Sequence, residues 1–130
     1  MIYFDHAATA PLHPKAKEAM AEAMEVLGNP SSLHTAGSGA KRLLEQSRAA
    51  VAEALGCEPG EILFTSGGTE ANALALHGRK KILTSPMEHP SVAGNCGNAL
   101  LLPVTPKGTV SLDTAETAVK SGVDLVSLQH

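Results

Sequence analysis

The chain has 130 residues, 43% of them hydrophobic, which is the size of one domain with enough apolar material for a core. Its aromatics are Tyr3, Phe4 and Phe64, 2% of the chain, so that core has to be built from Leu, Val, Ile, Ala and Met. A net charge of −3 and a longest basic run of Arg79-Lys80-Lys81 argue against general nucleic-acid binding, which needs a basic stripe, and no apolar run reaches the roughly 18 residues of a membrane span.

Residues 1–4 read as extended and residues 5–11 as a loop; this start lacks the basic-then-apolar pattern of a secretory leader. Pro14 suits the first turn of a helix that runs to about Leu27, with Ala16, Ala19, Met20, Ala23, Met24 and Leu27 on one face. Gly28-Asn29-Pro30 stops it. Residues 31–39 form a polar loop. A long helix over residues 40–55 follows, carried by Ala40, Leu44, Val51 and Leu55 and ended by Gly56. Residues 61–65 read as a strand, 69–76 as a short helix, and 81–85 as the next strand. Pro90 opens a helix weakened by Gly94 and Gly97. Residues 99–104 read as a strand, 112–121 as a helix and 123–128 as a final strand. Strands alternating with helical connections predict a largely parallel α/β sheet in a single, incomplete domain over residues 1–130. Because a strand-like run stops at residue 130, the chain is expected to be a fragment or one half of a split protein.

Four elements carry candidate chemistry. Thr65-Ser66-Gly67-Gly68-Thr69-Glu70 places two glycines between a strand and a helix. Exposed N–H groups at such a helix start attract an anion, and glycines allow its close approach. Taken alone, the plainer reading of the same residues is an N-cap, through Ser66 or Thr69, with no ligand present. The lysine of a P-loop is absent. His89, in Met87-Glu88-His89-Pro90, falls on the same sheet edge as Gly67 and Gly68 if the sheet is parallel. There an imidazole stacks on a planar ring or relays a proton, or is a surface or core-edge histidine held by a backbone hydrogen bond. Asn29-Pro30-Ser31-Ser32-Leu33-His34 and Asp5-His6-Ala7-Ala8-Thr9 are polar loops. Six scattered histidines show no metal-ligand spacing, and Cys57 and Cys96 read as reduced thiols of a cytoplasmic protein.

In this order, four stretches resemble the N-terminal third of a cysteine desulfurase, a pyridoxal-phosphate enzyme of fold type I: Tyr3–Thr9, Gly28–His34, Glu61–Asn72 and Glu88-His89-Pro90. Leu125–His130 resembles the strand ahead of that family's Asn-Asn-Glu segment. The resemblance implies the N-terminal part of a fold type I large domain, a mostly parallel sheet with flanking helices. It implies pyridoxal 5′-phosphate, with Gly68 and Thr69 at its phosphate and His89 stacked on its ring as a catalytic, proton-handling group. Ala7, Ala8 and Thr9 would line the substrate pocket, and Asn29 and His34 would lie near its entrance and the dimer interface. The implied reaction removes sulfur from L-cysteine, leaving L-alanine and an enzyme persulfide for iron–sulfur or thio-cofactor assembly. Implied partners are a second copy or a complementary chain, and a scaffold or sulfur-acceptor protein; no metal, nucleic acid or membrane is implied.

The chain also departs from the family pattern. His6 stands where the family usually has Asn, and the span from His89 to Leu125 is shorter than usual, with the missing residues placed around 93–98. None of Lys80, Lys81, Lys107 and Lys120 matches the Schiff-base lysine, and neither Cys57 nor Cys96 matches the mobile-loop cysteine. Selenocysteine lyase and a non-catalytic interaction module are the competing readings.

Overall fold

The computed structural model describes residues 2–129; the expected extended start at Met1 and the end of the resemblance at His130 lie outside them. The chain divides into two compact units, Met1–Leu63 and Phe64–His130.

The first unit is helical. Helix α1, Pro14–Met24, begins as Pro14 predicts: the proline takes the first helical position, where its missing N–H costs nothing, and His13 Nδ1 accepts from Lys15 N at 3.3 Å. It stops three residues short of the expected end, with Glu25 as its C-cap. Helix α2, Thr35–Leu55, starts five residues earlier than expected. The Ser- and Gly-containing run read as loop is helical because His34 supplies an N-cap, its Nδ1 accepting from Gly37 N at 3.4 Å. Gly56, left-handed at φ 70°, ends the helix. A 3₁₀ turn, Pro59–Glu61, then packs on α2, held by the Arg48 guanidinium donating to the Ile62 carbonyl. Between α1 and α2, Met20, Ala23, Val26, Pro30, Leu43 and Leu44 help line an apolar groove of about 490 Å³.

The second unit holds a parallel three-stranded sheet in the order β2-β1-β3, made of β1 (Ile82–Thr84), β2 (Leu100–Leu101) and β3 (Leu125–Val126). Leu83 pairs with Leu100 on one side and Val126 on the other. Central β1 is buried at every position, as a parallel strand covered on both faces requires, whereas Leu101 and Val126 on the flanking strands are exposed. Helices α3 (Gly68–Leu76), α4 (Pro90–Ala93) and α5 (Leu112–Lys120) complete the unit. Leu76, Ile82, Val92 and Cys96 form its core, with Ala99 and Leu125 packed against them. Serine capping by Ser111, Asp113 in the first turn and Lys120 in the last explain the bounds of α5.

The expected strand over residues 61–65 does not form. Glu61 closes the 3₁₀ turn, and the extended segment from Ile62 onward joins no ladder of the sheet. A strand exists only where a neighbour completes its hydrogen bonds, so apolar composition bounded by turns cannot make one. The shortened α4 is as its two glycines predict: four residues, ended at Gly94. Beside it, Thr84, Ser85, Ala93, Cys96 and Gly97 help wall a cavity of about 270 Å³.

Asp124 and Glu70 fasten local structure by accepting backbone N–H groups. Asp124 Oδ2 receives Lys80 N at 2.8 Å and Lys81 N at 2.9 Å, tying the entry of β1 to that of β3. Glu70 Oε2 receives Ser66 N at 2.7 Å and Ser66 Oγ at 2.6 Å. The Lys81 and Lys80 N–H groups hold the Asp124 carboxyl below its ordinary range, and the Ser66 hydroxyl and N–H do the same for Glu70. Carboxylates that ionise more readily in the folded state add stability above their unfolded pKa values, about 3.9 for Asp and 4.3 for Glu. That stability is lost as pH falls below this range and through the folded values. Asp124→Asn is therefore expected to melt below wild type near about pH 7, with the gap closing toward about pH 3, by circular dichroism. A gap that stays constant with pH would show that the Asp124 charge contributes nothing.

Candidate functional site

The candidate site is assembled where α3 meets α4 in the second unit. Gly67 is the N-cap of α3 and its backbone is extended, at φ 167° and ψ 177°. The first intrahelical bond runs from Ala71 N to Gly67 O at 3.1 Å, so the N–H groups ahead of it have no acceptor within the helix. Ser66 N is committed to Glu70, which leaves the Gly68 and Thr69 end of the helix as the donor face. A Cβ built on Gly67 or Gly68 would meet no atom within 4 Å. Neither glycine is required by backbone strain or by crowding from this chain, and both open onto free space.

His89 is exposed and caps α4, its Nδ1 accepting from Ser91 N at 3.1 Å. Ser91 Oγ also meets His89 Nδ1, at 2.7 Å. The same hydroxyl receives Asn72 Nδ2 from α3 at 2.8 Å, and Asn95 Nδ2 donates to Ser91 O at 2.7 Å. This network joins α3 to α4. The expected shared sheet edge is replaced, because the segment leading into α3 is not a strand of the sheet; Gly68, Thr69 and His89 are related through the two helices. Neighbouring Glu88 anchors the end of β3, accepting from Ser127 Oγ at 3.4 Å and from Gln129 N. Sequence reasoning missed both Ser91 and Asn72; the only sequence signal is that each is a polar residue in a stretch that is otherwise apolar and capping.

The remaining expected residues belong to the first unit. Ala7, Ala8 and Thr9 sit on an exposed turn in which Ala8 N and Thr9 N donate to Asp5 O at 3.1 and 3.3 Å. Tyr3 and His6 meet edge to face beside it, 5.0 Å between ring centres. Asn29 Oδ1 accepts from Ser31 N at 2.9 Å, while His34 is engaged as the cap of α2. Burial, reinforced by the charge of Glu88, pushes the Cys96 thiol up from its ordinary range, which disfavours the thiolate. No helix among the described residues is long and apolar enough to cross a membrane.

Comparison with known proteins sets this geometry in context. The family described as aminotransferase class-V matches residues 2–130. An IscS-like cysteine desulfurase of Mycobacterium tuberculosis is 38% identical over 144 residues, covering 96% of this chain and 37% of the relative. A NifS/IcsS protein homolog of Lactobacillus delbrueckii is 42% identical, over 98% of this chain and 37% of its own length. Among solved structures, the NifS-like protein from Rickettsia africae superposes with a TM-score of 0.84 at 35% identity, covering 98% of this chain and 39% of that one. SspA, solved in complex with cysteine, gives 0.84 at 30% identity, over 98% and 42%. The chain thus spans about two fifths of the length of these relatives. An alignment of 144 positions exceeds the 130 residues present, so the mycobacterial relative has residues without a counterpart here.

Proposed function

Since the chain belongs to the aminotransferase class-V family, we propose that it carries the cofactor-binding part of a cysteine desulfurase. The reaction would take sulfur from L-cysteine, leaving L-alanine and an enzyme persulfide that feeds iron–sulfur or thio-cofactor assembly in the cytoplasm. The observation that carries this reading is the start of α3: two glycines the fold itself does not need, facing open space beside N–H groups that have no helical acceptor. Relatives named as cysteine desulfurases, matched over nearly the whole chain, support it.

Gly68 and Thr69 would hold the phosphate of pyridoxal 5′-phosphate through backbone N–H groups and the Thr69 hydroxyl. His89 would lie against the cofactor ring and hold or move a proton. Ala7, Ala8 and Thr9 would border the L-cysteine pocket, and Asn29 and His34 its entrance and the interface with a second copy. A bound pyridoxal phosphate supplies the electron sink that the side chains of this chain lack. The Schiff-base lysine and the persulfide-forming cysteine would come from residues outside these 130 or from a complementary chain, and a scaffold or acceptor protein would receive the sulfur.

Thr69→Ala and Gly68→Val test the reading in the protein as isolated, together with any chain that co-purifies, by following cofactor absorbance on titration. A hydrogen bond to a charged group is worth about 1.5–3 kcal/mol, so Thr69→Ala should weaken binding roughly 10- to 150-fold. Gly68→Val should weaken it further. A Cβ at Gly68 has open space around it, so crowding of the Cβ by this chain does not account for such a loss. Unchanged affinity in both variants would place the phosphate elsewhere.

A further inference from the structure

The contacts around His89 determine which of its nitrogens can act. Ser91 N is a backbone N–H and can only donate; at 3.1 Å from His89 Nδ1 it requires an unprotonated Nδ1. With Nδ1 an acceptor, the Ser91 hydroxyl 2.7 Å away must donate to it as well. That leaves the lone pairs of Ser91 Oγ to accept from Asn72 Nδ2 at 2.8 Å, which requires the amide nitrogen of Asn72, not its oxygen, to face Ser91. One hydrogen arrangement satisfies all three contacts, and it places the proton of the neutral imidazole on Nε2. Ser91 is buried, and its carbonyl accepts from Asn95, so the arrangement sits within the hydrogen-bonded turn of α4. His89 itself is exposed.

We infer that Ser91, backed by Asn72, is a positioning residue that fixes the His89 ring as the Nε2–H tautomer, so that proton handling by His89 takes place at Nε2. The inference rests on the role of His89 proposed above, while the tautomer itself is independent of any cofactor. Neither Ser91 nor Asn72 needs to touch substrate: they act by occupying Nδ1 and fixing the orientation of the ring. The serine hydroxyl is shared between two helices, and removing it loosens the histidine and orphans the Asn72 amide together.

The test is nitrogen NMR of the imidazole rings in histidine-labelled protein, isolated with any chain that co-purifies, at about pH 8, above the ordinary histidine range. His89→Gln identifies the His89 signals. Wild type is expected to show one neutral tautomer, with Nε2 protonated and Nδ1 bare. Ser91→Ala keeps the backbone donor but loses the hydroxyl, so the ratio of Nε2–H to Nδ1–H should fall roughly 2- to 10-fold. Ser91→Thr, which restores a hydroxyl, should recover the wild-type ratio. Asn72→Ala, a change on the partly buried face of α3, should shift the ratio in the same direction as Ser91→Ala. A wild-type ring protonated on Nδ1, or a ratio unmoved by both Ser91→Ala and Asn72→Ala, would overturn the inference. Cofactor titration of His89→Ala tests the role of His89 separately. Unchanged cofactor binding there alongside a shifted tautomer in Ser91→Ala would refute the proposed role and leave the tautomer assignment standing.

Discussion

Gly37→Ala is expected to destabilise the first unit by at least about 2 kcal/mol, while Gly39→Ala, two residues along the same helix, is expected to stabilise it by about 0.5–1 kcal/mol. A Cβ on Gly37 would lie 2.3 Å from Ser32 O and 2.8 Å from Asn29 O. Both obstacles are backbone, so neither can rotate away as a flexible side chain would. The Asn29 carbonyl is also engaged by Ser32 N at 2.9 Å, and Gly37 N is the donor to the His34 cap. Relieving the clash therefore means moving the 29–32 turn off the first turn of α2 and losing a cap with it. Gly28 shows the same close approach from the other side, since its Cβ would stand 2.3 Å from Ala36 O at a φ of 152°. At Gly39 a Cβ meets nothing within 4 Å, and alanine simply removes the entropy cost of glycine in a helix. Far-UV circular dichroism melts of the two variants should move in opposite directions from wild type. Melts that move together would show that the Asn29–Ser32 turn does not pack on α2 as described.

The second large effect concerns catalysis. Mixed with pyridoxal phosphate, L-cysteine and a reductant, the 130-residue chain alone is expected to form no more alanine and sulfide than the free cofactor does. The reason lies in the groups present. Cofactor chemistry of this kind needs a lysine to anchor the aldehyde and a thiolate to accept the sulfur. Lys80 and Lys81 lead into β1, with their backbone N–H groups tied to Asp124, and Lys120 pairs with Glu116 at 2.7 Å on the exposed face of α5. Cys96 is buried, which pushes its thiol up and disfavours the thiolate, and Cys57, half-buried beside the end of α2, does not match the family's mobile-loop cysteine. Neither the donor-rich start of α3 nor the imidazole of His89 is a group that can accept sulfur. Alanine formed well above the cofactor control, without any second chain, would overturn this expectation.

Much of the molecule was legible before folding was considered, because helix periodicity, proline and glycine punctuation and parallel-strand composition are local properties. Helices α1 to α5, the strands β1 to β3 and the shortness of α4 follow from such signals, as do the motifs around Gly68 and His89 that carry the resemblance to cysteine desulfurases. Contacts between distant residues were not legible. Residues 61–65 have the composition of a strand, yet strand formation depends on a neighbour, and the sheet here is completed by β2 and β3 around β1. The early start of α2 depends on His34 acting as a cap, a role histidine seldom advertises, and the need for glycine at Gly37 appears only when the 29–32 turn is laid against it. Asp124 reaches back 44 residues to Lys80, and Asn72 forward 19 to Ser91; no periodicity encodes either distance. Sequence alone determined the kinds of element and the family pattern, since both are written in short runs of residues. Only the tertiary structure decided which polar atoms meet, and with them the ring nitrogen of His89 that remains open, because a hydrogen bond is fixed by position in space and not by order along the chain.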